Sequence, residues 1–471
     1  SNREQTMNGL STTLGGDFNQ HDLPMKLSRR QAAQPRTAFP TLMMSDCWFL
    51  AGLILALFYV ADPFFWRLDK IGVTKHLPLI ISLCGVLLVN IGNQIFDSAK
   101  SASKNNWQVL SAGFPLILLG IWIVVGSLYA RKFSDINNTF ITVGLYMLFT
   151  FLAARVVLIS PARASIVRAY LMSAAAISIF MVIRMETNYD DMHVNYHELE
   201  ALIIPLAVYF ALRPSGLENN GRRYTQVLFT LFFLGAGLVF RKNTGFLVLL
   251  LTLLYISMAE WRFRFRENTI FRFWAILWLL IVLASAIFAI GYFAQQEWLP
   301  SGNPQYRMLT YDVAWNKFIS SPIWGTNFSG QATEKFTAFT IASAKGNLAT
   351  HSDILDLAAQ GGVIALSLWL WGYLRISRIS LKHALKGLRP RDDIRAAAHT
   401  LACMSLASIV VYAFNPILLQ PAKSFLMWGQ LGMLLGIALH LANTNVEKTG
   451  TSPSAITANN THSTIVDTNH E

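Results

Sequence analysis

The sequence is short of charge. Only 14% of its 471 residues are Asp, Glu, Lys or Arg, against 53% hydrophobic, where a water-soluble globular chain carries roughly 25% charged residues. That excludes an ordinary soluble enzyme. Acid is scarcer than base: 26 Asp plus Glu face 38 Lys plus Arg, for a net charge of +12. Cysteine is scarcer still. The three present, Cys47, Cys84 and Cys403, all fall inside apolar stretches, which suits neither a paired disulfide framework nor a zinc site. A phosphate-cradling loop, a serine-nucleophile motif, a dinucleotide fingerprint and a His-Glu-x-x-His pair are also missing. No apolar signal sequence precedes the first long apolar stretch, so that stretch is expected to direct insertion itself.

What the chain has instead is apolar windows of about 20 residues, the length that crosses a bilayer core at a rise of 1.5 Å per residue. Mean hydropathy is +0.41. The reading is an all-α polytopic membrane protein of about twelve transmembrane helices. They are placed at about 47–65, 77–96, 109–130, 138–160, 164–183, 198–212, 224–240, 243–259, 271–294, 354–376, 398–418 and 423–442. Residues 1–45 form a polar cytoplasmic tail, 46–294 hold helices one to nine, and 295–353 form a large external loop. Residues 354–442 hold the last three helices, and the Thr-, Ser- and Asn-rich 443–471 read as a disordered cytoplasmic tail.

In a soluble protein a pI near 9.6 would raise the question of nucleic acid. Here the basic residues sit mostly between apolar windows, where they are topological signals. Lys26, Arg29, Arg30 and Arg36 precede the first window. Later basic loops hold Arg213, Arg222 and Arg223, then Arg262, Arg264, Arg266 and Arg272, then seven basic residues from Arg375 to Arg395. These alternate with an inside N-terminus and put both termini in the cytoplasm. Arg67, Lys70, Lys75, Arg131 and Lys132, in the first two external loops, run against that rule.

The loop at 295–353 is too long for a simple connection and too aromatic for disorder. It holds Tyr306, Tyr311, Trp315, Phe318, Trp324, Phe328, Phe336 and Phe339, and is punctuated by Pro322 and Gly325. Asp312 to Ser320 suit one or two helical turns, with Trp315 and Phe318 on one face.

Three constellations carry possible chemistry. At the end of the loop, His351-Ser352-Asp353 opens an apolar window. The imidazole can take a proton near neutral pH, Ser352 can cap the helix, and Asp353 and Asp356 suit its positive N-terminus. The alternative is an interfacial histidine without a task. Second, Arg241 and Lys242 share a tight turn between two apolar windows. Cations there are costly unless they meet an anion such as a pyrophosphate, which Arg can bind through two N–H groups; the alternative is a pair snorkelling to lipid head groups. Arg307 can join them or stand as a surface charge. Third, Asp190, Asp191, His193 and His197 suit either a divalent-metal site or a solvated entry loop.

These residues also carry a family resemblance. Arg307, Trp315, Phe318 and Pro322-x-x-Gly325, followed by His351-Ser352, Leu355 and Gly361-Gly362, resemble the shared signature of the bacterial O-antigen ligase and O-antigen polymerase superfamily. The turn Phe240-Arg241-Lys242-Asn243-Thr244-Gly245 is similar to the family's Ser-Arg-Gly turn, and Asn415-Pro416 to Trp428 resembles its last hairpin. The two glycines are adjacent here rather than spaced, and Gln360 stands where an acid is common.

The resemblance implies a glycosyltransferase of the GT-C type in the bacterial inner membrane, its site facing the periplasm, with no cofactor and no required metal. It implies an undecaprenyl-pyrophosphate-linked glycan as donor and a sugar hydroxyl of lipid A core as acceptor. His351 would be the catalytic base, with Arg241, Lys242 and Arg307 on the pyrophosphate. Ligation is preferred to polymerisation of lipid-linked repeat units because one external loop dominates. A flippase would call for charges buried mid-span, whereas Arg155 and Arg168 lie near window ends.

Overall fold

The structure, a computed structural model, describes residues 44–61, 77–96, 99–128, 138–187, 199–213, 220–239, 243–264, 303–326, 328, 352–384, 393–415, 417–418 and 420–450. Among the described residues the regular elements are all helical, as an apolar chain in lipid requires: a helix pairs its own backbone groups where no water can. In chain order they are α1 (Met44–Ala61), α2 (Leu77–Phe96), α3 (Ala99–Ala112), α4 (Phe114–Leu128), α5 (Asn138–Ile159), α6 (Arg163–Thr187), α7 (Glu200–Ile203) and α8 (Leu206–Leu212). There follow α9 (Asn220–Val239), α10 (Asn243–Arg264), α11 (Asn303–Ser320), α12 (Asp353–Ala384), α13 (Asp393–Phe414) and α14 (Pro421–Gly450).

Five of these contain stretches long and apolar enough to cross a membrane: Met44–Ala61, Arg163–Ile183, Asp353–Lys382, Asp393–Phe414 and Ala422–Thr444. The chain is a multi-pass membrane protein. Of the about twelve expected spans, the ninth, at about 271–294, lies outside the described residues. The third is not one straight helix. Asn105–Ala112 and Phe114–Leu128 meet at a bend of 66°, because Pro115 offers no N–H to the preceding turn and its ring clashes with that turn. The sixth is two short buried helices, α7 and α8, parted at Ile204 and Pro205 for the same reason. The backbone of α14 stays helical to Gly450, eight residues into the segment expected as a tail from 443.

The core is built where α14 lies along α5. A Cβ at Gly436 would stand 2.6 Å from the carbonyl oxygen of Ala154, and one at Gly432 2.7 Å from Ala153 Cβ. The small-x-x-x-small spacing thus lets two backbones approach, the usual basis of helix packing in lipid. Buried polar side chains tie the helices together. Thr150 Oγ1 donates to Trp428 O at 3.2 Å, Gln430 Nε2 to Tyr170 OH at 2.7 Å, and Ser160 Oγ to the buried Asp46 at 2.7 Å. Arg213 meets Asp393 through two N–H groups, Nε to Oδ1 at 3.0 Å and Nη2 to Oδ2 at 3.2 Å, with Arg168 at 3.7 Å from Oδ2. One of the loop cations read as a topological signal is therefore ion-paired across helices.

Candidate functional site

The site is assembled around the N-terminal end of α12. Ser352 Oγ accepts the N–H of Leu355 at 3.3 Å, the cap its sequence position suggests. Asp353 goes beyond the helix-dipole role expected for it. Its side chain is buried, and Oδ2 accepts the N–H groups of both Ile417 and Leu418, at 2.8 and 3.0 Å. That fastens the turn between α13 and α14 to the start of α12.

Asp353→Ala leaves both of those N–H groups without their acceptor, at roughly 1–3 kcal/mol for each that stays buried. We expect a clear drop in the detergent-solubilised unfolding midpoint. Asp353→Asn keeps an accepting oxygen and should recover most of the loss; equal midpoints for wild type and the alanine variant would refute the tether.

Arg307 approaches the same end from α11. It is half-buried, and its Nη1 donates to Phe414 O at 3.2 Å, at the last turn of α13, where free carbonyls favour a cation. One turn further on, burial pushes the Tyr311 phenol above its ordinary pKa, while Arg307 draws it down by charge and hydrogen bond and Asp356 raises it. Tyr311 on α11 is thus within the electrostatic reach of Asp356, one helical turn after residue 352 on α12. Among the sequence-derived candidates, Arg307 is brought to this end of α12. His351, Arg241 and Lys242 lie outside the described residues, as do Asp190, Asp191, His193 and His197. Two residues after Lys242 in the sequence, Thr244 Oγ1 contacts the fully buried Glu200 Oε1 at 3.5 Å.

The expected one or two turns within the long loop are an 18-residue helix, α11. Trp315 and Phe318 do share a face, their ring centroids 5.5 Å apart. After α11 the chain turns at Pro322 to Gly325 and docks on α12 where that helix breaks. Gly362 has φ 67° and ψ −168°, Gly325 has φ 60°, and Phe328 takes the left-handed φ of 55°. The Pro-x-x-Gly and Gly-Gly motifs, distant in sequence, therefore meet backbone to backbone: a Cβ on Gly325 would stand 2.6 Å from the carbonyl oxygens of Ala359 and Gln360. Thr326 Oγ1 adds a bond to the buried Gln360 Oε1 at 2.9 Å.

Sequence reading missed Tyr311 and Trp122 as members of this neighbourhood, and Glu200 beside Thr244. Tyr311 stands four residues after Arg307, a spacing that puts both on one helix face. Glu200 carried a signal too, as an acid inside an apolar stretch. Trp122 carried none, since a tryptophan in an apolar window is ordinary.

Residues 228–370 match the family model described as O-antigen ligase. That match supports the O-antigen ligase family and a general enzyme role for the protein. No curated protein matches the chain at a significant level.

Proposed function

We propose that this membrane protein, matched over 228–370 to the O-antigen ligase family, transfers a glycan from undecaprenyl pyrophosphate to a sugar hydroxyl of lipid A core at the periplasmic face of the inner membrane. The observation that carries the reading is the seating of Arg307 on Phe414 O at the end of α13, next to the turn that Asp353 fastens to the start of α12, the helix that begins two residues after His351. A cation and a base are the two groups the reaction needs. His351 takes the proton of the acceptor hydroxyl as its oxygen bonds to the anomeric carbon. The bond from that carbon to the pyrophosphate oxygen breaks, and Arg241, Lys242 and Arg307 meet the charge that collects on the leaving group. Attack from the opposite face inverts the anomeric centre. No cofactor or metal takes part in this scheme.

The test is transfer by purified protein from a defined lipid-linked glycan to core lipid A, with and without EDTA. Chelator-insensitive transfer supports the scheme. Loss restored by magnesium or manganese would move the pyrophosphate to a metal held by Asp190, Asp191, His193 and His197. Lipopolysaccharide from a deletion strain separates the two members of the superfamily: bare core with accumulated polymer marks a ligase, core bearing one repeat unit a polymerase.

Arg241 gives a finer measurement. If the planar guanidinium holds two pyrophosphate oxygens at once, Arg241→Lys should lose most of the activity that Arg241→Ala loses, since an ammonium is a point charge. A lysine variant near wild type, beside a dead alanine variant, would show that charge alone suffices. Near-native rates for both would remove Arg241 from the site.

A further inference from the structure

The break in α12 falls inside a stretch able to span a bilayer, where unpaired backbone groups are costly. A continuous helix would pair its own carbonyls around residue 360; here they are met from outside. Ala359 O accepts the N–H of Thr326 at 3.0 Å, and Gln360 O that of Phe328 at 3.1 Å. Gly361 O accepts the indole N–H of Trp122 at 3.1 Å. In the other direction Val363 N–H donates to Pro322 O at 2.8 Å. Three of these four bonds are backbone to backbone and survive most side-chain changes. The fourth depends on one side chain.

Trp122 belongs to α4, outside the matched segment 228–370. Its ring also stacks on Trp324, centroids 5.2 Å apart and planes 24° from parallel, and Trp324 lies within the Pro322-to-Gly325 turn. One side chain therefore touches both partners of the junction, the helix at Gly361 and the loop at Trp324. An indole suits this place because it offers a broad face for stacking and a donor at its edge. We infer that Trp122 is a positioning residue: it holds the 322–328 loop closed on the break and so sets the stance of residues 352–361, the segment that follows His351. Its effect on transfer rests on the ligase reading above; its effect on the junction does not.

The full chain in nanodiscs provides the test, with backbone amide exchange measured over 321–328 and 353–363 and transfer kinetics on a defined lipid-linked glycan. Trp122→Phe keeps a ring for Trp324 and removes the donor; Trp122→Ala removes both. In Trp122→Ala, exchange should quicken about tenfold or more in those two segments alone, the scale of one lost buried hydrogen bond. Turnover should fall by at least as much, with KM for the donor and the unfolding midpoint close to wild type. Trp122→Phe should fall between. Trp324→Leu should reproduce the faster exchange, and the double variant should add little, as expected of residues acting through one junction.

Unchanged exchange in Trp122→Ala, fully additive effects of Trp122 and Trp324, or turnover lost only in proportion to folded protein would each overturn the inference. If wild-type protein is inert on the lipid-linked glycan, the ligase reading fails and exchange alone decides: quickening confined to the two segments upholds the junction, and unchanged protection removes it.

Discussion

Replacing His351 with alanine should abolish glycan transfer while leaving expression and donor binding near wild type. A sugar hydroxyl is far too weak an acid to ionise near neutral pH, so its proton must leave as its oxygen attacks. A positioned imidazole contributes roughly 10² to 10⁴ in rate by accepting it. The base works only when neutral. For an imidazole of ordinary pKa, about 6.5, the wild-type rate should be full above that pH and should fall as pH drops through it and the ring takes a proton. The measurement is single-turnover transfer by folded, size-excluded protein between about pH 5 and 8, the span an unperturbed imidazole titrates. A folded His351→Ala protein that keeps more than about a tenth of the wild-type rate, above what a lost general base allows, would take this histidine out of the chemistry.

The second large effect is structural. Gly362→Ala should disrupt the junction between loop and helix by the addition of a single methyl group. At φ 67° and ψ −168° the backbone is in a region essentially reserved for glycine, and forcing another residue there costs of order 1–3 kcal/mol. The added Cβ would also collide with the backbone carbonyl of Ile323, which belongs to the turn itself and cannot swing aside, for about 1–3 kcal/mol more. Together these should lower the unfolding midpoint and, because the break lies in the helix that follows His351, cut activity by more than the loss of folded protein explains. Gly235→Ala is the control. Its Cβ would meet nothing within 4 Å, and it sits in the interior of α9, where alanine is the better helix former, so its midpoint should stay level or rise. A Gly362→Ala protein as stable and active as the Gly235→Ala protein would contradict the geometry of the break.

Sequence alone determined the helical, multi-pass character of the chain, because the lipid bilayer admits few backbone solutions and apolar windows of span length state which one applies. Local chemistry was equally legible: Ser352 caps its helix, and Trp315 and Phe318 share a face, since capping and helical spacing involve residues only three apart. Arg307 was legible as a candidate through its motif, and its seat on Phe414 O was not.

Tertiary structure decided what depends on distant segments meeting. Periodicity at 109–130 and 198–212 reads as continuous span, and only Pro115 and Pro205, inside the windows, hint at the breaks that packing then stabilises. The adjacent glycines at 361 and 362 look like a flaw in a spaced pair until the loop after α11 and Trp122 are laid on them, when the carbonyls of Ala359, Gln360 and Gly361 find N–H groups from outside the helix. Asp353 looks like a helix-dipole acid until the α13–α14 turn arrives to donate two hydrogen bonds to it. Each of these roles is a hydrogen bond or close approach between residues tens to hundreds of positions apart. Composition and spacing carry no record of such a contact, because it is fixed by helix crossings that many sequences could make and this packing selects.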